Sequence, residues 1–348
     1  MSEVTQELDE SRDDTGATTP PAAHGGAHAV AVAAAHGVDT MFTLSGAHVF
    51  PMYDGAVHPM REGTSMRILD VRHEQTAVFA AEALGKLTRV PGLAVLTAGP
   101  GVTNGVSAIT QAQFSGSPLV VIGGRAPANR WGMGSLQEFD HPPLLAPVTK
   151  LARTAHTVAE VPEAVDEAFR VAAAPHRGPT FLDVPMDQFF DKTAVPTPEP
   201  APRQRQEPDA DALTEIADLL AEARRPVLVL GTDVWADGAE EAALRFVEST
   251  GIPVITNGMG RGVVPGGHPQ LVTKARGRAL GTCDLAIVVG TPLDFRLGFG
   301  KFGDAKVIHL ADHEAGVAKH VDLAAGAGGP LAEALEALAA ATPRDRDG

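Results

Sequence analysis

Apolar and polar positions along this chain switch repeatedly between helical and strand spacing, and the switches outline its elements. An Ala/Val stretch from Gly26 to Val38 has helical spacing and closes at Gly37, a residue free to take the left-handed conformation that ends helices. Thr40 to Ser45 reads as a strand that stops at Gly46. The apolar run Ile68, Leu69, Val71 predicts a second strand and Thr76 to Leu87 a helix, so Glu74 is expected at a strand's carboxyl end. Leu93 to Thr97 and Pro118 to Ile122 are predicted strands on either side of a helix over Val102 to Gln113. The Gly- and Pro-rich stretch that follows reads as irregular. Pro162 to Ala174 is then helical, its proline in the first turn where no donor is lost, and Thr180 to Val184 is a strand.

The pattern pauses and restarts. Lys192 to Asp209 is studded with proline and predicts an extended linker. Beyond it, Leu213, Ile216, Leu219 and Leu220 form one apolar helix face. Strands are predicted over Val227–Leu230, Val254–Thr256, Leu285–Val289 and Val307–Leu310, and a last helix over Leu331–Ala341. Strands alternating with helices predict an α/β protein of two doubly wound, largely parallel-sheet domains. The expected boundaries are a disordered acidic tail over 1–23, a first domain over 24–191, the linker over 192–209, a second domain over 210–341 and a polar end over 342–348.

Composition narrows the field. The 348 residues, 44% hydrophobic, suffice for two ordinary cores. A net charge of −15 argues against a nucleic-acid partner and would repel anionic cofactors not held by local donors or a metal. No apolar run reaches membrane-spanning length, so no membrane partner and a cytoplasmic location are expected. The lone Cys283 lies in Thr282–Gly290, read as an apolar strand, and is expected to be a small buried residue, with no disulfide within the chain. His24 and His28 have the spacing of a metal pair but lack a third ligand, so they read as a solvated helix start and no metal ligand is assigned. The strand Val227–Leu230 runs into Gly231 without a G-x-G-x-x-G fingerprint, which speaks against a nicotinamide dinucleotide site.

Residue by residue, Glu74 would be a carboxylate in a first helical turn, Pro100 and Gly101 a turn, and Asn104 a helix cap. In sequence order, however, the chain carries Arg72-His-Glu74, then Thr97-Ala-Gly-Pro-Gly-Val-Thr-Asn-Gly105, Ser117-Pro-Leu-Val-Val-Ile-Gly-Gly124 and Leu136-Gln-Glu138. This ordered set resembles the pyrimidine-binding domain of thiamine-diphosphate enzymes, in particular the acetolactate synthase family and its neighbours, the benzoylformate and oxalyl-CoA decarboxylases.

The resemblance implies that Glu74 meets N1′ of the cofactor's aminopyrimidine, while Ser45, Gly46, Pro100 and Asn104 line the pyrimidine half. Gln137 matches a family residue placed for substrate. The implied reaction is decarboxylation of a 2-keto acid such as pyruvate and its joining to a second 2-keto acid, as in branched-chain amino-acid biosynthesis. Two departures leave the substrate open: Leu136 replaces the synthases' usual Phe, and Leu44-Ser-Gly-Ala-His48 stands where many have Pro-Gly-Gly-Ala. Apart from family position, Ser45 and His48 are ordinary loop and helix-start residues. The alternatives are an oxalyl-CoA decarboxylase or 2-hydroxyacyl-CoA lyase-like half-enzyme, and a non-catalytic nucleotide-binding remnant.

The second domain resembles the same family's central domain, which binds FAD in acetolactate synthases and ADP in oxalyl-CoA decarboxylases. The matching positions are Gly231, Asn257, Gly258, Gly290, Arg296 (diphosphate) and Asp312 (ribose), though the fold alone could use them with no cofactor. Family enzymes hold the diphosphate through Mg²⁺ on a third domain marked by Gly-Asp-Gly and a later Asn. No Gly-Asp-Gly occurs here, since Gly303-Asp304 is followed by Ala305. The resemblance therefore covers two of three domains, and the expected partners are further copies of the chain or a separate chain bringing the diphosphate-binding domain.

Overall fold

The computed structural model describes residues 22–60, 65–201 and 207–342. The expected tail thus lies outside the described residues except for Ala22 and Ala23, as do positions 202–206 of the linker and 343–348 of the polar end. The chain divides into two compact units, Met1–Ala201 and Pro202–Gly348.

In the first unit, six strands form one parallel sheet: β1 (Thr40–Thr43), β2 (Arg67–Asp70), β3 (Gly92–Leu96), β4 (Leu119–Arg125), β5 (Leu151–Thr154) and β6 (Pro179–Pro185). Their spatial order is β2-β1-β3-β4-β6-β5. Helices α1 (Gly25–Ala35), α2 (Phe50–Val57), α3 (Glu74–Thr88), α4 (Pro100–Ser115) and α5 (Val161–Ala173) cover it on both faces. The period of two along β3 divides the core: Leu93 and Val95 join Val30, Met52 and Phe169 on one side. Ala94 and Leu96 join Val78, Ile109 and Phe181 on the other. A sheet buried on both faces requires such unbroken apolar strands.

Helix α3 rests on the sheet backbone to backbone. A Cβ on Gly92 would fall 1.9 Å from the Ala81 carbonyl oxygen, and one on Gly85 would fall 2.2 Å from the Pro118 carbonyl oxygen. Both glycines are there for close approach, and they fix the helix whose first residue is Glu74.

The second unit is built the same way. Its parallel sheet has β7 (Pro226–Leu230), β8 (Val254–Thr256), β9 (Leu285–Val289), β10 (Lys306–Ala311) and β11 (Ala325–Gly328), in the order β8-β7-β9-β10-β11. Helices α6 (Ala210–Glu222), α7 (Glu240–Thr250) and α8 (Leu331–Ala341) bring Ile216, Leu220, Phe246, Leu335 and Leu338 into one core with Leu228, Ile287 and Ile308. The Asp209 carboxylate caps α6, accepting from the Asp211 and Ala212 amides at 3.0 and 3.1 Å. Among the described residues, no helix is long and apolar enough to cross a membrane.

Several elements differ from expectation. The stretch read as irregular contains β5, an edge strand whose Leu-Ala-Arg-Thr sequence is half-buried throughout and shows no alternation. Helix α2, with Pro51 in its first turn, and the Ala-Gly-Ala-Gly strand β11 also lacked a sequence signal. At β11 a Cβ on Gly328 would fall 2.2 Å from Glu314 Cα, so glycine admits a neighbour where a β-former would not fit. Lys192–Thr193, expected in the linker, pairs antiparallel with Ala23–His24.

His24 and His28 are not a solvated helix start. His24 Nδ1 caps α1 by accepting from the Ala27 amide at 3.0 Å, while its Nε2 meets Asp54 at 2.8 Å. His28 is fully buried, with Nε2 at 3.1 Å from the Thr193 carbonyl. Cys283 is buried as expected, but it ends a helix rather than lying in strand β9, and burial pushes its thiol pKa up.

The Gly92 contact has a measurable consequence. Gly92→Ala should destabilise the protein by about 1–3 kcal/mol, because backbone must move to admit the methyl. Urea denaturation followed by circular dichroism reads this directly, and an unchanged midpoint would refute the close-approach role.

Candidate functional site

Helices leave β1 and β3 toward opposite faces of the sheet, because the chain steps from β1 outward to β2 and then back across to β3. Loops that diverge in this way open a crevice at the carboxyl ends of the two strands. Ser45 and Gly46 follow β1, and Thr97 to Pro100 follow β3, so the topology itself brings these segments together.

The order is the expected one: β2 stops at Asp70, a short turn follows, and Glu74 opens α3 at that strand's carboxyl end. His73 caps that helix, its Nδ1 accepting from the Gln75 amide at 3.1 Å. The Glu74 carboxylate is thereby released from capping and lies buried, 8% exposed, with Oε2 accepting from Asn104 Nδ2 at 2.9 Å. Asn104 is thus in the body of α4 and grips the carboxylate instead of capping the helix.

Gly46, Thr97 and Gly101 stack beside this pair. A Cβ on Gly46 would fall 2.3 Å from Thr97 Cβ, and one on Gly101 would fall 2.6 Å from Thr97 Cγ2 and 3.8 Å from Glu74 Oε1. Pro100 opens α4 directly after Gly99, which has φ 57°. Gln137 also has a positive φ of 57°, uncommon for a residue with a side chain. Its Cβ lies 2.9 Å from where a Cβ on Gly99 would be, so the Gln137 backbone backs onto the turn that leads to Pro100.

Two residues of this site escaped the sequence reading of their roles. Tyr53, the chain's single tyrosine, sits on the unpredicted helix α2. Thr43 Oγ1 donates to the Val95 carbonyl at 2.6 Å and so accepts from the Tyr53 hydroxyl at 2.7 Å. Burial pushes the Tyr53 pKa above the ordinary phenol value. Ser45 is exposed. His48, expected as an ordinary helix-start residue, is buried, with Nδ1 at 3.1 Å from Thr97 Oγ1. Burial holds its pKa below the ordinary imidazole value. A Cβ on Gly124 would come within 2.4 Å of His48 Cβ, so the Gly-Gly ending of β4 makes room for this histidine.

In the second unit the corresponding crevice lies beyond β7 and β9. Gly231 and Gly290 meet there: a Cβ on Gly231 would fall 2.3 Å from the Gly290 carbonyl oxygen, and Gly290 has φ 63°. Gly258, φ 51°, leaves no room for a Cβ beside Thr232 Oγ1 at 2.3 Å. Asn257 Oδ1 accepts from Arg276 Nη1 at 3.1 Å, and Arg276 Nη2 donates to the Arg296 carbonyl at 2.6 Å. Arg276 was not anticipated. Arg296 is itself held by Asp294, with Nε and Nη2 donating to Oδ2 at 3.0 and 2.6 Å. Arg276, Arg296 and Lys301 line a cavity of about 290 Å³. Asp312, at the end of β10, is buried and meets His313 Nδ1 at 2.9 Å.

The architecture of both units is matched by known families. The thiamine pyrophosphate enzyme N-terminal TPP binding domain matches residues 23–144. The thiamine pyrophosphate enzyme central domain matches residues 213–338. The chain belongs to the thiamine pyrophosphate enzyme family. Within it, the chain is 49% identical over 319 residues to the acetolactate synthase large subunit IlvG of Mycobacterium tuberculosis, covering 90% of this chain and 57% of that protein. It is also 33% identical over 315 residues to 2-hydroxyacyl-CoA lyase 2 of Caenorhabditis elegans (80% of this chain, 48% of that protein). Against 2-hydroxyacyl-CoA lyase of Oryza sativa subsp. japonica it is 33% identical over 301 residues (83% and 51%). The chain spans about half the length of the curated relatives it matches.

Two buried imidazoles make the fold pH-sensitive. Burial holds His48 and His309 below their ordinary pKa of 6.5, so the unfolded chain binds their protons more readily. Stability from these groups is complete above that value and is lost as pH falls through it toward the folded-state values. Denaturation midpoints should therefore drop between about pH 7.5 and about pH 5.5, before the carboxylates titrate. His309→Gln should flatten part of this slope, and an identical slope in the variant would exclude His309 as a source.

Proposed function

We propose that this chain supplies the aminopyrimidine side of a thiamine diphosphate site and serves 2-keto acid decarboxylation and carboligation of the acetolactate synthase type. The observation that carries this reading is the buried Glu74 carboxylate, gripped by Asn104 at 2.9 Å beside the crevice at the carboxyl ends of β1 and β3.

The residues present fit the group. Asn104 occupies Glu74 Oε2, while Oε1 lies toward the space that a side chain at Gly101 would fill. Glycine at positions 46 and 101 lets Thr97 pack against both, which leaves no side chain of either residue beside that carboxylate. Thiamine diphosphate, when bound, supplies the carbanion equivalent that adds to a 2-keto acid and lets CO₂ leave. Glu74 would hold and return a proton at N1′ of the pyrimidine, a role favoured by a site that excludes water. Ser45, Gly46 and Pro100 would bound the ring, and Gln137 would orient the substrate. A Mg²⁺-binding diphosphate domain, on this or another polypeptide, is needed to complete the site, and assembly of several copies accompanies this reading.

Glu74→Gln keeps the shape of the side chain but cannot cycle a proton. In the assembled enzyme it should slow exchange of the thiazolium C2 proton by about 10²-fold or more while leaving the circular dichroism spectrum unchanged. Undiminished exchange would defeat the assignment.

The second unit is proposed to hold a nucleotide, with Gly231, Asn257, Gly258 and Gly290 at the crevice, Arg296 at the diphosphate and Asp312 at the ribose. The cation-lined cavity beside Arg276, Arg296 and Lys301 favours an anionic ligand, and FAD and ADP both present a diphosphate. A yellow protein with a flavin absorption band would support the synthase branch. Colourless protein that binds ADP would favour the 2-hydroxyacyl-CoA lyase branch instead, and binding of neither would leave the unit structural. Arg296→Ala should weaken retention of whichever nucleotide binds, as read by equilibrium dialysis.

A further inference from the structure

We infer that His141 is a positioning residue: as a neutral imidazole it grips the Gly99 amide and so fixes the turn that carries Pro100 and Gly101. The functional consequence rests on the thiamine reading above, whereas the grip itself does not.

Gly99 has φ 57° and ψ −115°, a conformation closed to residues with side chains, and its amide points into the protein. A buried amide needs an acceptor. His141 Nε2 provides it at 2.9 Å, which means that Nε2 carries no proton. The ring proton therefore sits on Nδ1 and is donated to Asp183 Oδ2 at 2.9 Å. His141 and Asp183 are both fully buried. Arg125 Nη1 donates to the same Asp183 oxygen at 3.1 Å and to Asp140 at 2.8 Å, and its guanidinium lies 3.9 Å above the Trp131 ring. Arg125 thus balances the Asp183 charge, leaving the imidazole free to stay neutral. Phe139 and Phe181 close on the His141 ring edge to face, with centroids at 5.3 and 6.0 Å.

The turn is held from two sides by one segment. His141 takes its amide, and the Gln137 Cβ lies against its Cα face. Loss of the His141 bond should therefore release Gly99, and with it the Gly101 backbone beside Glu74 and the placement of Gln137.

The first test uses the full wild-type chain labelled with ¹⁵N-histidine. The His141 Nε2 resonance should be that of an unprotonated ring nitrogen, with the proton on Nδ1. Protonated Nε2 would overturn the inference, and this measurement depends on no variant folding. The second compares His141→Phe with His141→Gln. Gln offers a carbonyl to Gly99 and an amide to Asp183, whereas Phe offers neither. Hydrogen exchange at the Gly99 amide should be about tenfold faster or more in the Phe variant, and restored to within about threefold of wild type by Gln. Equal exchange in wild type and the Phe variant would overturn the inference.

In the assembled enzyme, C2-proton exchange should fall with His141→Phe and recover with His141→Gln. If the Gly99 amide responds as expected but the wild-type enzyme exchanges no C2 proton, the thiamine reading fails and the His141 grip stands.

Discussion

The contact of Gly92 with the Ala81 carbonyl is the constraint on which the first unit's site depends. Without a side chain at Gly92, α3 lies backbone to backbone on β3. A rigid helix set down at that point carries its first residue to a fixed place at the other end. That first residue is Glu74. Gly85 repeats the approach against Pro118, so the helix is seated at both its neighbours in the sheet. Any bulk beneath α3 would shift the carboxylate that the rest of the crevice surrounds.

The crevice is polar only where it must be. Each buried polar group described there has been given a partner of suitable kind: Asn104 for Glu74, Thr97 for His48, Thr43 for Tyr53, and His141 for the Gly99 amide. Unpaired, such groups would cost on the order of 1–3 kcal/mol each. Asp183 is the exception, since its Oδ1 meets no hydrogen-bond partner among the described residues while Oδ2 takes both His141 and Arg125. The second unit repeats the arrangement with different chemistry. Its glycines close on one another at the strand ends, and its arginines are tied to Asn257 and Asp294.

Much of this was legible in the chain. Alternation of short apolar runs with helical spacing is dictated by burial on both faces of a parallel sheet, so it survives in the sequence as pattern. The ordered motifs around Glu74, Pro100, Asn104 and Gln137 were legible through their resemblance to a known family, since residue by residue each reads as an ordinary turn, cap or surface position. Strands β5 and β11 and helix α2 were not. Each is short, and each owes its form to what lies beside it: β5 to the open edge of β6, and β11 to the close approach of Glu314.

What the sequence determined by itself, then, was the succession of elements and the two-unit α/β class, because these follow from local spacing and from residue types with few conformational uses; the candidate motifs came from resemblance to a family. Tertiary structure decided which atoms meet. His48, Tyr53 and His141 are unremarkable where they stand in the chain, and only the crossing of the connections at β1 and β3 sets them around one crevice. The same holds for Asn104, which local spacing makes a cap and the packing of α3 against α4 makes the partner of Glu74. Spacing along a chain fixes periodicity. Contact between residues distant in sequence is fixed by how backbones can approach, and that is a property of the packed sheet.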